Sequence, residues 1–308
     1  MKAKLGYLIP TRENIMSGDH SASGLLQRAQ LVEQLGFDSL WVGDSLFARP
    51  RHDPLTMLAA LGAVTRSVQI GSAVLLPALR NPVLLAQQLA TIDQIAGGRL
   101  IVGAGIAADT PRIREEFAAA SVPFEKRVGR LVEGFSLCRE LWKGEPVTWS
   151  GRWQVNEATL APFPAQTGGP PIWLAASVPA GIRRCAQFYE GWMPIGPDVQ
   201  GFQSGLAILT ETAAEFGRPR PVPSIYLTVC VDKSEAQAEA MIDAYLHDYY
   251  GMPPAIMRRV QACCGGSLDR VTGFINQFAE AGAEHIILRL VGNHEMTLQQ
   301  LAPLVSKS

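Results

Sequence analysis

The stretch IGSAVLLPALRNPVLLAQQLATIDQIAGGRLIVGAGI, Ile70 to Ile106, decides the reading of this chain. It begins inside an apolar run of strand type, Val68–Leu75, and closes on a second, Leu100–Ala104. Between them Asn81-Pro82 is an N-cap followed by a first-turn proline, where the missing N–H costs nothing. An amphipathic helix follows, and Gly97-Gly98-Arg99 ends it in a turn. Strand, helix and strand in this order are the pattern of α/β folds. One detail resists a plain reading: the residues ahead of Val74 are Gly71, Ser72 and Ala73. Buried strands favour branched side chains, and glycine packs nothing. Small residues here either relieve barrel packing or let another body approach the backbone, as at a bulge.

The same alternation runs through the chain. Strand-type runs are Leu5–Ile9, Ser39–Val42, Val68–Leu75, Leu100–Ala104, Ile172–Ala175, Gly191–Met193, Ile225–Val231 and His285–Leu290. Asp53-Pro54 is a second cap pair, Gly36 and Gly282 follow helix ends, and Ser267 caps a helix running through Phe278. Eight strands, each followed by a helix, predict a TIM-type (β/α)8 barrel, with residues 1–308 forming one domain. An open doubly wound sheet is the alternative. The long interval between the fourth and fifth strands is an inserted region with the helix Phe124–Trp142. It also holds a hairpin in PVTWSGRWQV, turning at Ser150-Gly151. RPRPVP, Arg218 to Pro223, reads as a short connector.

Composition narrows the function. The chain has 308 residues, 47% hydrophobic, with 27 basic against 28 acidic residues. That balance points to neither nucleic acid nor a membrane surface. No apolar run reaches the roughly 18 to 20 residues of a membrane span, and the apolar part of the N-terminus is too short for a signal peptide. Five cysteines, without a C-x-x-C, suggest neither a disulfide framework nor a zinc site. A reduced, cytoplasmic, metal-free protein is expected.

In a barrel the chemistry sits at the C-terminal ends of the strands. Those ends carry Pro10-Thr11-Arg12, Gly43-Asp44-Ser45, Leu76-Pro77, Gly103-Ala104-Gly105-Ile106, Ala176-Ser177, Trp192-Met193, Cys230 and Arg289. No G-x-S-x-G, carboxylate pair or metal-ligand set occurs among them, which argues against a hydrolase. Small residues recur instead, as a flat cofactor lying across the mouth would require. GAGIA is not a dinucleotide fingerprint, since Ala108 holds the last glycine's place. Asp44 could equally be a structural hydrogen-bonder, and Trp192 a packing residue.

The segments GFDSLWVGDS, IGSAVLLPALRNPVLLAQQLATIDQIAGGRLIVGAGI, FEKRVGRLVEGFSLCRELWKG, PPIWLAAS and EGWMP occur in this order. Together they resemble the bacterial luciferase-like family of flavin-dependent monooxygenases and coenzyme F420-dependent oxidoreductases. The resemblance covers Leu5 to about Leu290 and implies a TIM-type barrel with an insertion. It also implies a bulge on strand three, with a cis Ala73–Val74 peptide against the flavin ring. Ser72, Ala73 and Val74 then contact the cofactor, joined by Gly105 and Ile106 at strand four. Ala107 stands where glycine is commoner. Ala175, Ala176, Ser177 and Val178 match the segment approaching the cofactor phosphate, where Ser177 and the helix opening at Pro179 form an anion site. Arg183 and Arg184 follow one turn on. Asp44 matches an acidic residue near ring and substrate, and is the catalytic candidate. Ser45 replaces the histidine that usually follows it. Glu190 takes the place of a frequent aspartate.

The resemblance leads to a monooxygenase using reduced FMN, supplied by a separate reductase, and O2 on a small organic substrate. Tyr7, Phe47 and Trp192 are the expected pocket walls. The alternative is hydride transfer with coenzyme F420, recycled by an F420-reducing enzyme. Its acidic tail would meet a basic groove of Arg112, Arg114, Arg218 and Arg220. A non-catalytic flavin-binding relative is a third class. Helices Pro54–Thr65 and Val83–Ile95 are apolar on more than one face, and relatives pair through this side, so a homodimer is expected.

Overall fold

Two tryptophans inside a ring of parallel strands organise this chain, and glycines opposite them make the room. The computed structural model describes residues 3–196 and 198–305. Its strands are β1 (Lys4–Leu8), β2 (Ser39–Val42), β3 (Gln69–Ser72), β4 (Leu100–Ala104), β5 (Val147–Ser150), β6 (Gln154–Ala158), β7 (Ile172–Leu174), β8 (Gly191–Trp192), β9 (Val222–Val231), β10 (Cys263–Gly266) and β11 (His285–Leu290). The parallel order β9–β11–β1–β2–β3–β4–β7–β8 closes where β8 pairs with the start of β9. This is the eight-stranded barrel expected from the alternation. β5 and β6 form the expected hairpin in the insertion. Two expectations need correction. β9 begins at Val222, so the last two residues of the proposed connector, Val222 and Pro223, belong to the barrel and only Arg218 to Pro221 connect. β10, a glycine- and cysteine-rich strand without a branched residue, pairs with the far end of β9 and was illegible as a strand.

Alternation along each strand sorts the side chains into two layers. Leu8, Trp41, Ile101, Trp173, Met193, Tyr226 and Ile287 fill the lumen. Leu5, Tyr7, Ile9, Leu40, Val42, Ile70 and Leu174 face the helices in the larger core. The indoles of Trp41 and Trp173 lie 5.4 Å apart. A Cβ on Gly71 would come within 2.4 Å of the Trp41 ring, and one on Gly191 within 2.2 Å of Trp173. At the lumen floor the Ser39 hydroxyl accepts from Trp41 Nε1 (2.7 Å) and is hydrogen-bonded to His285 Nε2 (2.6 Å). Burial pushes the His285 imidazole down to about 3, so it is neutral.

The helices start and stop where the local chemistry dictates. Asp53 accepts from Thr56 N–H, Asn81 from Val83 N–H and Ser267 from Arg270 N–H, each capping its helix. The expected helix of the insertion is a 3-10 turn, Phe124–Lys126, leading into an α-helix, Arg127–Leu141. No described helix is long and apolar enough to cross a membrane.

Candidate active site

The small stretch on β3 serves two purposes. Gly71 pairs with Ile101, but the next bridge joins Leu75 to Ala104, so β3 carries one residue more than β4. That is a β-bulge. Ala73 N–H donates to Val42 O (2.7 Å) and Leu75 N–H to Gly103 O (2.8 Å), anchoring the bulge on both neighbours. The Ala73–Val74 peptide is cis, as the resemblance implied. Ala73 and Val74 both pack on the lumen cluster and both stay half exposed, so they form a ledge at the mouth. Gly105 completes it, because a Cβ there would meet Val74 Cγ2 at 2.7 Å and Ala175 Cβ at 3.8 Å. Ser72 is buried, and its hydroxyl donates to Gly103 O (2.7 Å), so its side chain braces the ledge from behind. Gly71 makes room for the packed Trp41 ring, and Ala73 leaves the mouth side of the bulge open.

The ledge continues onto β7. Ala175 N–H donates to Ala104 O (2.8 Å), and Trp192 Nε1 donates to Ala176 O (2.7 Å). The helix Pro179–Phe188 opens directly after, with no side-chain cap on its first turn. Ser177 and Val178 are exposed there. Pro179 has no N–H and Gly181 N–H donates to Val178 O (2.9 Å), so the Ala180 amide beside the Ser177 hydroxyl is the first-turn donor that suits a phosphate, and the half-exposed small residues suit a flat ring system. A flavin-type cofactor therefore fits this half of the mouth. Ile106 flanks the ledge, and Ala107 adopts a φ of +63°, the left-handed conformation that explains why glycine suits that position. Arg183 is engaged with Thr212 and Glu215, and Glu190 accepts from Arg139.

Other expected residues are placed differently. Asp44 is buried, with Oδ2 accepting from Leu76 N–H (2.9 Å) and Arg80 Nη1 (2.5 Å). It ties the bulge to the turn after it. Ser45 donates to Glu116 Oε1 (2.5 Å), which also accepts from Phe47 and Ala48 N–H, so both serine and glutamate shape the loop after β2. Phe47 sits on the exposed rim. Tyr7 and Trp192 are not mouth walls. Both fall on the outward phase of their strands: Tyr7 hydrogen-bonds His294 Nδ1 (2.6 Å), and Trp192 stacks on Phe202. The four arginines offered as a basic groove are also taken. Arg112 pairs with Glu115, Arg114 with Asp109 and Glu125, Arg218 with Glu190 and Arg220 with Glu284.

The opposite half of the mouth joins two of the strand-end residues, Arg12 and Arg289, to tyrosines that sequence reasoning missed. Arg289 points inward from β11 and is 6% exposed. Its guanidinium lies 4.3 Å from the Tyr249 ring centroid and 4.8 Å from that of Tyr226. Arg289 Nη1 donates to Tyr250 OH (2.6 Å), and Arg51 Nη2 donates to Tyr249 OH (2.7 Å). Arg12 lies over Tyr249 and Arg49 over Tyr250. Tyr245 donates to Glu13 Oε1 (2.5 Å). A Cβ on Gly43 would fall 1.9 Å from Arg51 Nη1 and 3.6 Å from Ala73 O, so Arg51 reaches the edge of the ledge. Two signals were present: Arg289 follows His285 and Ile287 on the inward phase, and Tyr245 and Tyr249 share a helix face.

Comparisons with known proteins agree with this architecture. The luciferase-like monooxygenase family model matches residues 3–286. An F420-dependent glucose-6-phosphate dehydrogenase of Microbacterium testaceum is 34% identical over 205 residues, 64% of this chain and 60% of its own length. An F420-dependent hydroxymycolic acid dehydrogenase of Mycobacterium tuberculosis is 30% identical over 228 residues, 70% of this chain and 61% of its own. The chain thus spans about 60% of the length of these relatives. A monooxygenase structure from Streptomyces bottropensis superposes with a TM-score of 0.82, covering 97% of this chain and 98% of its own at 23% identity, a likeness of fold. Barrel, bulge and family model coincide along nearly the whole sequence, and the chain belongs to the luciferase-like monooxygenase family.

Proposed function

We propose that this chain is a coenzyme F420-dependent oxidoreductase acting by hydride transfer on a small organic substrate. The observation that carries the reading is the similarity to relatives named for F420, 34% and 30% identical over 64% and 70% of this chain. This reverses the preference for FMN and O2 that the resemblance alone suggested. Bound F420 would supply the hydride acceptor or donor. Ala73, Val74, Gly105 and Ile106 would hold its ring, and Ser177 with the Ala180 amide its phosphate. The chain's own contribution is then positioning and proton handling. Glu13, hydrogen-bonded to the Tyr245 hydroxyl, is a carboxylate able to take the proton of a substrate hydroxyl as its C–H bond breaks. Asp44 is committed to Arg80 and Leu76, and its role is to position the bulge.

Fluorescence titration tests the assignment. F420 should bind at least about ten-fold more tightly than FMN, a difference of roughly 1.4 kcal/mol. Chemically reduced FMN mixed with air should reoxidise as it does in buffer. Tight FMN binding with delayed reoxidation and a transient absorbance distinct from oxidised flavin would instead make the protein a monooxygenase.

A further inference from the structure

Four guanidiniums, those of Arg12, Arg49, Arg51 and Arg289, converge on one half of the mouth around the tyrosines of the helix Glu235–Tyr250. Among the described residues none of the four forms an ion pair. Arg80 in the same mouth, by contrast, is fully matched by Asp44. Arg289 is almost completely buried, yet its Nε has no hydrogen-bond partner, and neither has Arg12 Nε. A buried cation without a counter-charge is costly, and faces of aromatic rings repay only part of that cost. Tyr226 and Tyr245 do not supply the missing charge. Burial holds the Tyr226 and Tyr245 hydroxyls well above their usual range, so they are neutral at physiological pH. Glu13 is a carboxylate on this side, and its Oε1 already accepts the hydrogen bond of the Tyr245 hydroxyl.

We infer that this Arg–Tyr cluster binds the oxyanion of the substrate, so that the protein acts on small hydroxy or oxo compounds carrying a carboxylate or phosphate. The inference deepens the hydride-transfer reading and rests on it for the reaction, though not for the binding. Planar guanidiniums present paired donors that match an oxyanion's acceptors. Arg51 packs on Gly43, which also borders Ala73 O, so an anion held by Arg51 would sit near the edge of the ledge. Glu13 and Tyr245 lie beside it, because Tyr245 stacks on Tyr249 with centroids 5.2 Å apart. An oxyanion fixed at one end would therefore direct a carbinol or carbonyl carbon toward the ring, within reach of the proton acceptor.

The test is calorimetric titration of the full chain, without cofactor and at low salt, with inorganic phosphate and separately with succinate. At least one should bind saturably. Arg51→Gln and Arg289→Gln should each weaken it about ten-fold or more, as expected for loss of one charge-assisted pair. Arg112→Gln, a surface pair with Glu115, should leave it unchanged. Phosphate binding alone identifies a phosphorylated substrate, and succinate binding alone a carboxylic acid. If Arg289→Gln does not fold, Arg51→Gln carries the test, with circular dichroism as its control. Binding of neither anion, or equal binding by parent and Arg51→Gln, overturns the inference. So does a matching loss of F420 affinity in the variants, which would give the cluster to the cofactor's own acidic groups. Anion binding through these arginines in a protein that prefers FMN would refute the F420 reading and leave this one standing.

Discussion

Two histidines show how one side chain can set the acid stability of a barrel. His285 lies on the lumen floor against Ser39, and His294 caps the Tyr7 hydroxyl in the outer layer. Burial lowers them from an ordinary 6.5 to about 3 and about 4. The folded chain keeps both neutral, while the unfolded chain protonates both near 6.5. Unfolding therefore takes up protons below that pH, and stability is full above it. It should fall as pH drops toward 4, by up to about 1.4 kcal/mol per pH unit for each histidine. That loss begins above the range in which carboxylates titrate. Calorimetric unfolding in buffers of different ionisation enthalpy should report the uptake. A midpoint temperature flat between about pH 7 and pH 5 would contradict it.

At the scale of the element, the bulge of β3 is the part whose sequence is most constrained. Its neighbours hold it from three directions: Val42 of β2 with Asp44 just beyond it, Gly103 from β4, and Arg80 from the turn beyond. Ala73 faces the open side of that frame. Ala73→Leu should fold, since the added atoms enter the mouth and not the packed core. It should bind F420 about ten-fold or more weakly, the scale of forcing extra carbons into a filled contact. Equal affinities for parent and variant would place the ring elsewhere. Gly71→Leu would behave differently, because its Cβ meets the buried indole of Trp41 and destabilises the barrel itself.

The whole molecule leaves one helix face unexplained by the barrel. On the helix Pro82–Ala96, Leu84 (61% exposed), Gln88, Thr91 and Ile95 (45% exposed) share a stripe turned away from the core. With the helix Pro54–Val64 it borders a shallow groove of about 280 Å³ lined by Asp53, Leu55, Thr56, Ala59, Gln87 and Ile92. A second copy of the chain is the expected occupant. Light scattering should give a dimer for the parent and a monomer for the double variant Leu84→Asp, Ile95→Asp. A monomeric parent would end that expectation.

Periodicity and punctuation in the sequence determined the barrel. Eight apolar runs, the Asp53-Pro54 and Asn81-Pro82 caps, and the Ser150-Gly151 hairpin all lie where local propensity placed them, because these signals act within a few residues. The ordered segments likewise carried the family and the ledge at Ala73, Val74 and Gly105. Tertiary structure alone decided which way the aromatic and charged side chains point. Tyr7 and Trp192 turned outward because strand phase is set by pairing across the ring. The surface arginines found partners distant in sequence, Arg220 with Glu284 among them. Arg12 just after β1, Arg51 in the loop after β2, and Arg289 on β11 met the tyrosines that follow β9 only when the barrel closed. Their convergence is a property of ring closure, which brings the first and last strands side by side and leaves no trace in local spacing.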